Sequence, residues 1–448
     1  MCVSLGSPLR KKYPLIDQTK PNRTPVRTFL KLLAYGRFYE IKCIVRKKSK
    51  TLVWLITNPN SLPRRLLRDI PILKPIFQRK YIRDIYKKFY NYDANESTGR
   101  LRIALIIREG TTRPRSSAFI RLISPLTDPS IKELVSVRIF PENTTNIGKN
   151  YDICIIQRTV YDNVSTAKKL LANLEAAGTS LVVDSDDAFS AIDRIHPEHD
   201  VHQARLDAFN YLLNKADEVW FSTEMLARAH SEISNKVKIV PNSLDPRIWK
   251  QDPIRAPNND QPLQFVYMGT ATHNADLAMI LPALENTAKQ YPKSFVLNVI
   301  GVSDNLPSRP WIRRILPEKG TLYPLFVTWF SRQHCFDIGL SPLVDSNFNR
   351  SKSDIKCLDY IAADIVPLVS DFTPYKSHEL DKFIIRVKNT PQAWENALSK
   401  LVANTFRTRA ENKRRIANGK KYLWNKRSSS KVAKQLLRHL EDLAVKQN

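Results

Sequence analysis

The sequence predicts an α/β chain of two doubly wound parallel-sheet domains, with a basic N-terminal extension and a C-terminal helix. Three observations carry this. A chain of 448 residues is too long for one compact core and fits two domains plus extensions. Short β-rich apolar runs alternate with helix-patterned segments from residue 100 onward, the signature of parallel sheets. The charge is lopsided: of a net +28, residues 1–99 hold 22 Lys+Arg against 6 Asp+Glu and residues 405–448 hold 13 against 3. We therefore divide the chain into an extension (1–99), a first domain (100–245), a second domain (246–404) and a basic helical tail (405–448).

The extension opens irregularly around Pro8, Pro14, Pro21 and Pro25, and Arg27–Arg46 then carries a helix-spaced apolar stripe. Leu62–Tyr92 mixes aromatics with Arg and Lys and reads as an amphipathic, interfacial stretch. Packing of these helices on the core, with a solvated basic face, is the alternative. Asp93–Gly99 reads as a polar linker.

In the first domain Leu101–Ile107, Val135–Phe140, Tyr151–Ile156, Ser180–Val183, Glu218–Ser222 and Val237–Val240 are the expected strands. Ser165–Ala177, stopped by Gly178, Ala204–Lys215 and Thr223–Ile233 are the expected helices. Ligands of such sheets lie at the carboxyl ends of the strands. Arg158 and the acidic loop Asp184, Asp186, Asp187 fall there, and Ser117 and Arg121 follow the first strand. Pro241-Asn242 marks a hinge. In the second domain the strands are Gln264–Met268, Ser294–Ile300, Phe336–Leu343 and Ile365–Ser370, with helices over Asp276–Tyr291 and Leu322–Arg332. The loop Gly269, Thr270, His273 is a candidate phosphate turn, since Gly269 lets the backbone come close. His273 can donate to a phosphate or sugar hydroxyl there, although a lone loop histidine also reads as merely exposed.

The second domain is organised around Phe336–Asp371. A loop containing Asn347 and Asn349 enters a short helix for which Ser353 is the expected N-cap and Asp354 a first-turn acid. Lys356 and Asp359 then share one helix face. A helix N-terminus with a lysine in its first turn suits phosphate. A carboxylate one turn deeper can accept from the hydroxyl pair of a ribose. Together they suggest a nucleoside diphosphate, against the plain reading of a solvated helix pair.

The run PLVDSNFNRSKSDIKCLDYIAADIVPLVSD resembles the nucleotide-sugar segment of GT-B glycosyltransferases, particularly retaining family 4 and its relatives in bacterial polysaccharide synthesis. The resemblance implies two Rossmann-like domains facing a cleft, with Lys356 near the donor phosphates and Asp359 near the ribose. Asp359 stands where the family usually has glutamate, Asp364 where it has glycine, and Ser351 where many members carry an acid. VVDSDDAFS resembles the family's V-x-Y-D-x-D-D segment, which implies an interdomain position for Asp184, Asp186 and Asp187 without a metal. The alternatives for these acids are an Asp-x-Asp metal pair and a purely structural turn.

Five scattered cysteines without a C-x-x-C argue for a reducing compartment and against zinc. No secretory leader and no bilayer-length apolar run is evident, so the expected location is cytoplasmic or peripheral on the inner face of the membrane. With 11 glycines and no G-x-G-x-x-G, NAD- and ATP-dependent chemistry loses support. The positive charge sits at the ends around a nearly neutral centre, which suits an anionic membrane better than nucleic acid. The expected activity is metal- and cofactor-independent transfer of a sugar from a nucleotide diphosphate sugar to a glycan or lipid-linked acceptor, in cell-surface polysaccharide synthesis. The expected catalytic groups are Lys356 and the three acids; the alternative is a catalytically degenerate scaffold binding glycan or membrane.

Overall fold

A computed structural model describes residues 74–90, 92, 100–110, 112–194, 196, 198–249, 261–269, 273–301, 306–318 and 320–445. The stripe expected over Arg27–Arg46, the linker Asp93–Gly99 and Thr270 lie outside the described residues.

The first described element is helix α1 (Lys74–Tyr90). Its Ile82, Ile85, Tyr86 and Tyr90 are buried, and Tyr90 stacks on Phe119 at 5.7 Å. The apolar stripe read as interfacial is therefore, over residues 82–90, a core-packing face. Burying an aromatic ring on a partner ring is worth more than its area alone, which favours the protein interior over lipid.

The first sheet contains β1 (Leu101–Ile106), β2 (Val135–Phe140), β3 (Ile153–Gln157), β4 (Ser180–Ser185), β5 (Glu218–Phe221) and β6 (Val237–Ile239). All are parallel, in the order β2-β1-β3-β4-β5-β6. Helix α2 spans 116–126 and widens to a π-turn at Phe119–Ile123. Helix α3 (Val164–Ala177) is capped by Asn163 and ends at Gly178, whose φ of 64° is the left-handed geometry a glycine supplies without strain. Helices α4 (His199–Gln203), α5 (Leu206–Lys215) and α6 (Glu224–Arg228) complete the domain. The single helix expected over Thr223–Ile233 is broken: α6 ends at Arg228, and Ile233 leaves helical geometry at φ −116° and ψ 20°.

The second sheet contains β7 (Leu263–Met268), β8 (Phe295–Ile300), β9 (Ile312–Ile315), β10 (Ile338–Ser341), β11 (Val366–Ser370) and β12 (Ile385–Val387). It too is parallel, in the order β12-β11-β10-β7-β8-β9. Helices α7 (Asn274–Gln290), α8 (Tyr323–Phe330), α9 (Asn347–Arg350), α10 (Ile355–Ala362) and α11 (Pro391–Ala403) connect its strands. The strand order reverses between β7 and β10, so the crevice outside their carboxyl ends is where such a sheet binds ligands. Asp364, between α10 and β11, adopts φ 63° and pairs with Lys420 at 2.5 Å. That is the left-handed geometry expected of a residue standing in for glycine.

The stretch read as one basic tail divides between the domains. Helix α12 (Thr405–Lys426) belongs to the second, through Arg409 on Asp337 at 2.9 and 3.0 Å. Helix α13 (Ser429–Val445) returns to the first, where Ser429 and Ser430 donate to Asp128 at 3.3 and 2.8 Å and Gln435 donates to the Ile239 carbonyl at 2.9 Å.

One close contact seats helix α10 on the sheet. Tyr360 lies flat against Gly339 of β10, where an added Cβ would meet the ring at 2.4 Å, and its hydroxyl donates to the Leu340 carbonyl at 3.0 Å. Gly339→Ala should therefore lower stability by about 1–3 kcal/mol through overpacking, read as a drop in Tm by thermal denaturation. An unchanged Tm would mean that α10 tolerates displacement.

Candidate functional site

At the switch between β7 and β10 two loops converge on Asp276, in the first turn of α7. Asp276 is 4% exposed. Its Oδ1 accepts from Val344 N at 2.8 Å and from Asn349 Nδ2 at 3.2 Å, while His273 Nδ1 lies 2.8 Å from Oδ2. Asn349 also donates to the Val344 carbonyl at 2.8 Å. The loop after β10 is thus fastened to the helix after β7, and Asn349 serves that fastening. Part of this loop, expected to be irregular, forms the one-turn helix α9, because Ser346 Oγ caps Asn349 N at 3.1 Å. Asn347 projects from it, exposed. Gly269 lies opposite His273, whose Cβ would sit 3.2 Å from a side chain there.

Burial, reinforced by the positive charges of Lys356 and Lys352, pushes the His273 imidazole down to about 3. Against the opposing effect of burial, hydrogen bonds from His273 and Val344 N hold the Asp276 carboxyl below its usual range. The ring is therefore neutral, donates at Nδ1 to Asp276 and presents Nε2 as an acceptor. This corrects the expectation that His273 donates to a ligand.

Helix α10 carries the two groups with unmet hydrogen bonds. Lys356 Nζ and Asp359 Oδ1 are closed off from solvent and have no hydrogen-bond partner, although each side chain as a whole is only half-buried. Lys356 Nζ lies 5.2 Å from the Tyr267 ring centroid, a cation–π contact in place of a hydrogen bond. Burial lowers the ammonium to about 8 and raises the Asp359 carboxyl to about 8. Each charge favours the other, but burial outweighs that attraction. The solvated helix pair is not what the chain builds.

The start of α10 differs by one residue from the expectation. Asp354, not Ser353, occupies the N-cap position, and its carboxylate makes no cap hydrogen bond. Arg427 holds that carboxylate instead, at 2.7 and 2.8 Å. Ser353 faces the first domain, where Asn242 Nδ2 donates to its Oγ at 2.7 Å.

The first-domain acids separate into two groups. β4 runs two residues further than expected, to Ser185, and carries Asp184 inside the sheet at 0% exposure. There Arg121 chelates it at 2.5–3.0 Å and Gln157 donates at 3.3 Å. Neither Asp184 nor Arg121 faces the cleft, contrary to expectation. Charges so deep are kept only when paired. Ser117 is also buried, in the first turn of α2. Asp186 and Asp187 are only partly buried and take Arg158 between them, at 2.6 and 2.7 Å. Arg158 adopts φ 59° to reach both.

Two site residues went unrecognised in the sequence. Asp276 gives no motif signal, since its role depends on loops far apart in the chain. Lys352 had one, standing four residues before Lys356 in the same run. Burial lowers its pKa, while Asp187 of the first domain and Asp276 of the second oppose that, so its ammonium answers to both domains.

No protein-family model and no curated protein matches the chain. Solved structures match its fold. Anabaena HepE in complex with UDP-glucose is 10% identical, with 76% of this chain and 100% of that one covered and a TM-score of 0.52. A glycosyltransferase from Rickettsia africae is 8% identical, with 77% and 98% covered and a TM-score of 0.52. Trehalose-6-phosphate from E. coli, bound with UDP-2-fluoro glucose, is 12% identical, with 76% and 98% covered and a TM-score of 0.50. The two parallel-sheet domains are the GT-B fold shared with these glycosyltransferases.

Asp359 holds a proton in the folded chain that it would release unfolded between about pH 4 and pH 8, so its contribution to stability is lost as pH rises through that window. Asp359→Asn stays neutral throughout. Its Tm should match the parent near pH 4 and exceed it progressively toward pH 8. A constant difference across the window would show that the fold does not hold a proton on Asp359.

Proposed function

We propose that the chain is a glycosyltransferase that moves a sugar from a nucleotide diphosphate sugar to a glycan or lipid-linked acceptor. The observation that carries this is the pair Lys356 and Asp359 on α10, whose Nζ and Oδ1 are closed off from solvent without hydrogen-bond partners at the strand-order switch of the second domain. A diphosphate at the start of α10 meets backbone N–H groups without intrahelical acceptors, and gives the Lys356 ammonium an opposite charge to pair with. Lys356 then stabilises the charge that develops on the departing nucleotide. Asp359 takes the ribose hydroxyls, and His273 Nε2 accepts from a sugar hydroxyl.

The acceptor lies on the first-domain side, at Asp186, Asp187 and Arg158. Because Arg121 and Arg158 occupy the carboxylates of the Asp-x-Asp spacing, a metal-independent reaction fits this site. The nucleotide is UDP by analogy with the ligands of HepE and the E. coli protein. A role in cell-surface polysaccharide synthesis on the cytoplasmic side of a membrane follows from the sequence resemblance and from the basic ends of the chain, which suit an anionic lipid surface. No helix among the described residues is long and apolar enough to cross a membrane.

The test is a thermal-shift titration of the full chain with UDP, GDP, ADP and CMP and the corresponding nucleotide sugars, for the parent and Lys356→Ala. One nucleotide at a hundredfold excess over its Kd should stabilise the parent by about 2.7 kcal/mol. The variant, relieved of an unsatisfied ammonium, should melt no lower than the parent yet lose the shift. A parent that binds none of these ligands is the degenerate scaffold instead.

A further inference from the structure

The buried Arg121 does more than neutralise Asp184. Its Nη1 donates to the Val240 carbonyl and to Asn242 Oδ1, each at 2.9 Å. A guanidinium has only donors, so it fixes the amide oxygen of Asn242 toward itself and turns Nδ2 the other way. Across the hinge, Nδ2 donates to Ser353 Oγ at 2.7 Å, and Ile355 N approaches the same oxygen at 3.4 Å. Ser353 is thus an acceptor on its first-domain side, and its hydroxyl hydrogen is left to give at the entrance of α10.

Resting on the donor site assigned above, we propose that Asn242 is a positioning residue for the bound nucleotide. By accepting from Arg121 and donating to Ser353, it sets the direction of the hydrogen bond at Ser353 and keeps that hydroxyl a donor to the diphosphate. The series Asp184, Arg121, Asn242, Ser353 carries this setting from the core of the first domain to the ligand of the second. Each link is buried or partly buried: Asp184 is 0%, Arg121 1% and Asn242 3% exposed.

Asn242→Asp keeps the shape and reverses the bond. A carboxylate has no hydrogen to give, so Ser353 must donate to residue 242 and turns away from the ligand. The experiment is calorimetric titration of the full chain with UDP, or with whichever of GDP, ADP and CMP binds the parent. It compares the parent, Asn242→Asp, Ser353→Ala and the double variant. Ser353→Ala and Asn242→Asp should each weaken binding about tenfold, the weight of one hydrogen bond to a charged group. In the Ser353→Ala background, Asn242→Asp should weaken it by clearly less, because the bond it reverses is gone. Equal losses in both backgrounds, or an Asn242→Asp variant that binds like the parent, overturn the proposal. If Asn242→Asp does not fold, Asn242→Leu runs the same cycle without an added charge. A parent that binds no nucleotide, or Lys356→Ala binding like the parent, strikes the donor-site reading itself and removes the proposal with it.

Discussion

The arrangement of the whole molecule depends on keeping one guanidinium dry. Arg121 is shut away from water, where an unpaired charge would cost several kcal/mol. Its donors are met by a carboxylate in β4, the carbonyl that follows β6 and an amide at the hinge. These groups come from two segments of the chain, β4 and residues 240–242, so satisfying one side chain ties α2 to the sheet and to the hinge. A second arginine completes the hold. Arg427, where α12 gives way to α13, donates to the Asn242 carbonyl at 2.9 Å and grips Asp354 at the mouth of α10. The hinge residue is held by its side chain from one arginine and by its backbone from the other, and the crossing of the last helix is part of how α10 is placed.

Beside those paired arginines, Lys356 and Asp359 are ionisable groups that carry a local cost. A buried ammonium and a buried carboxyl with unmet hydrogen bonds each oppose folding. They survive because α10 is anchored elsewhere, by Tyr360 on Gly339 and by Arg427 on Asp354. Sites that must meet a charged ligand are commonly built this way, with the deficit relieved on binding.

Most strands were legible because strands buried on both faces read as apolar runs, and β3 and β11 are of that kind. The two that were not legible, β9 (IRRI) and β12 (IRV), lie at the sheet edges, where arginines face water and the run is too short to register. The site was legible where it lies within one helix, as Lys356 and Asp359 do. It was illegible where direction matters. Asp184 and Asp186 read as one acidic motif, yet the first completes a strand and points into a closed ion pair while the second follows the strand and meets Arg158. The partner that decides between those fates, Arg121, is 63 residues away in the chain. Asp276 was silent for the same reason.

The distribution of sign within the cleft follows from these pairings. Asp186, Asp187 and Asp276 gathered around one crevice would repel a diphosphate, and at the reduced dielectric of a partly buried site that repulsion acts over several ångströms. Arg158 neutralises the first two at close range. Burial lowers the Lys352 pKa, and the charges of Asp187 from one domain and Asp276 from the other oppose that. Lys356 stands four residues further on with its Nζ unpartnered. The carboxylates thus serve to hold cations in position, and the charge left over for a ligand is positive at the start of α10. A nearly neutral central chain can offer a positive helix entrance only if its acids are paired elsewhere, as Asp184, Asp186 and Asp187 are with Arg121 and Arg158.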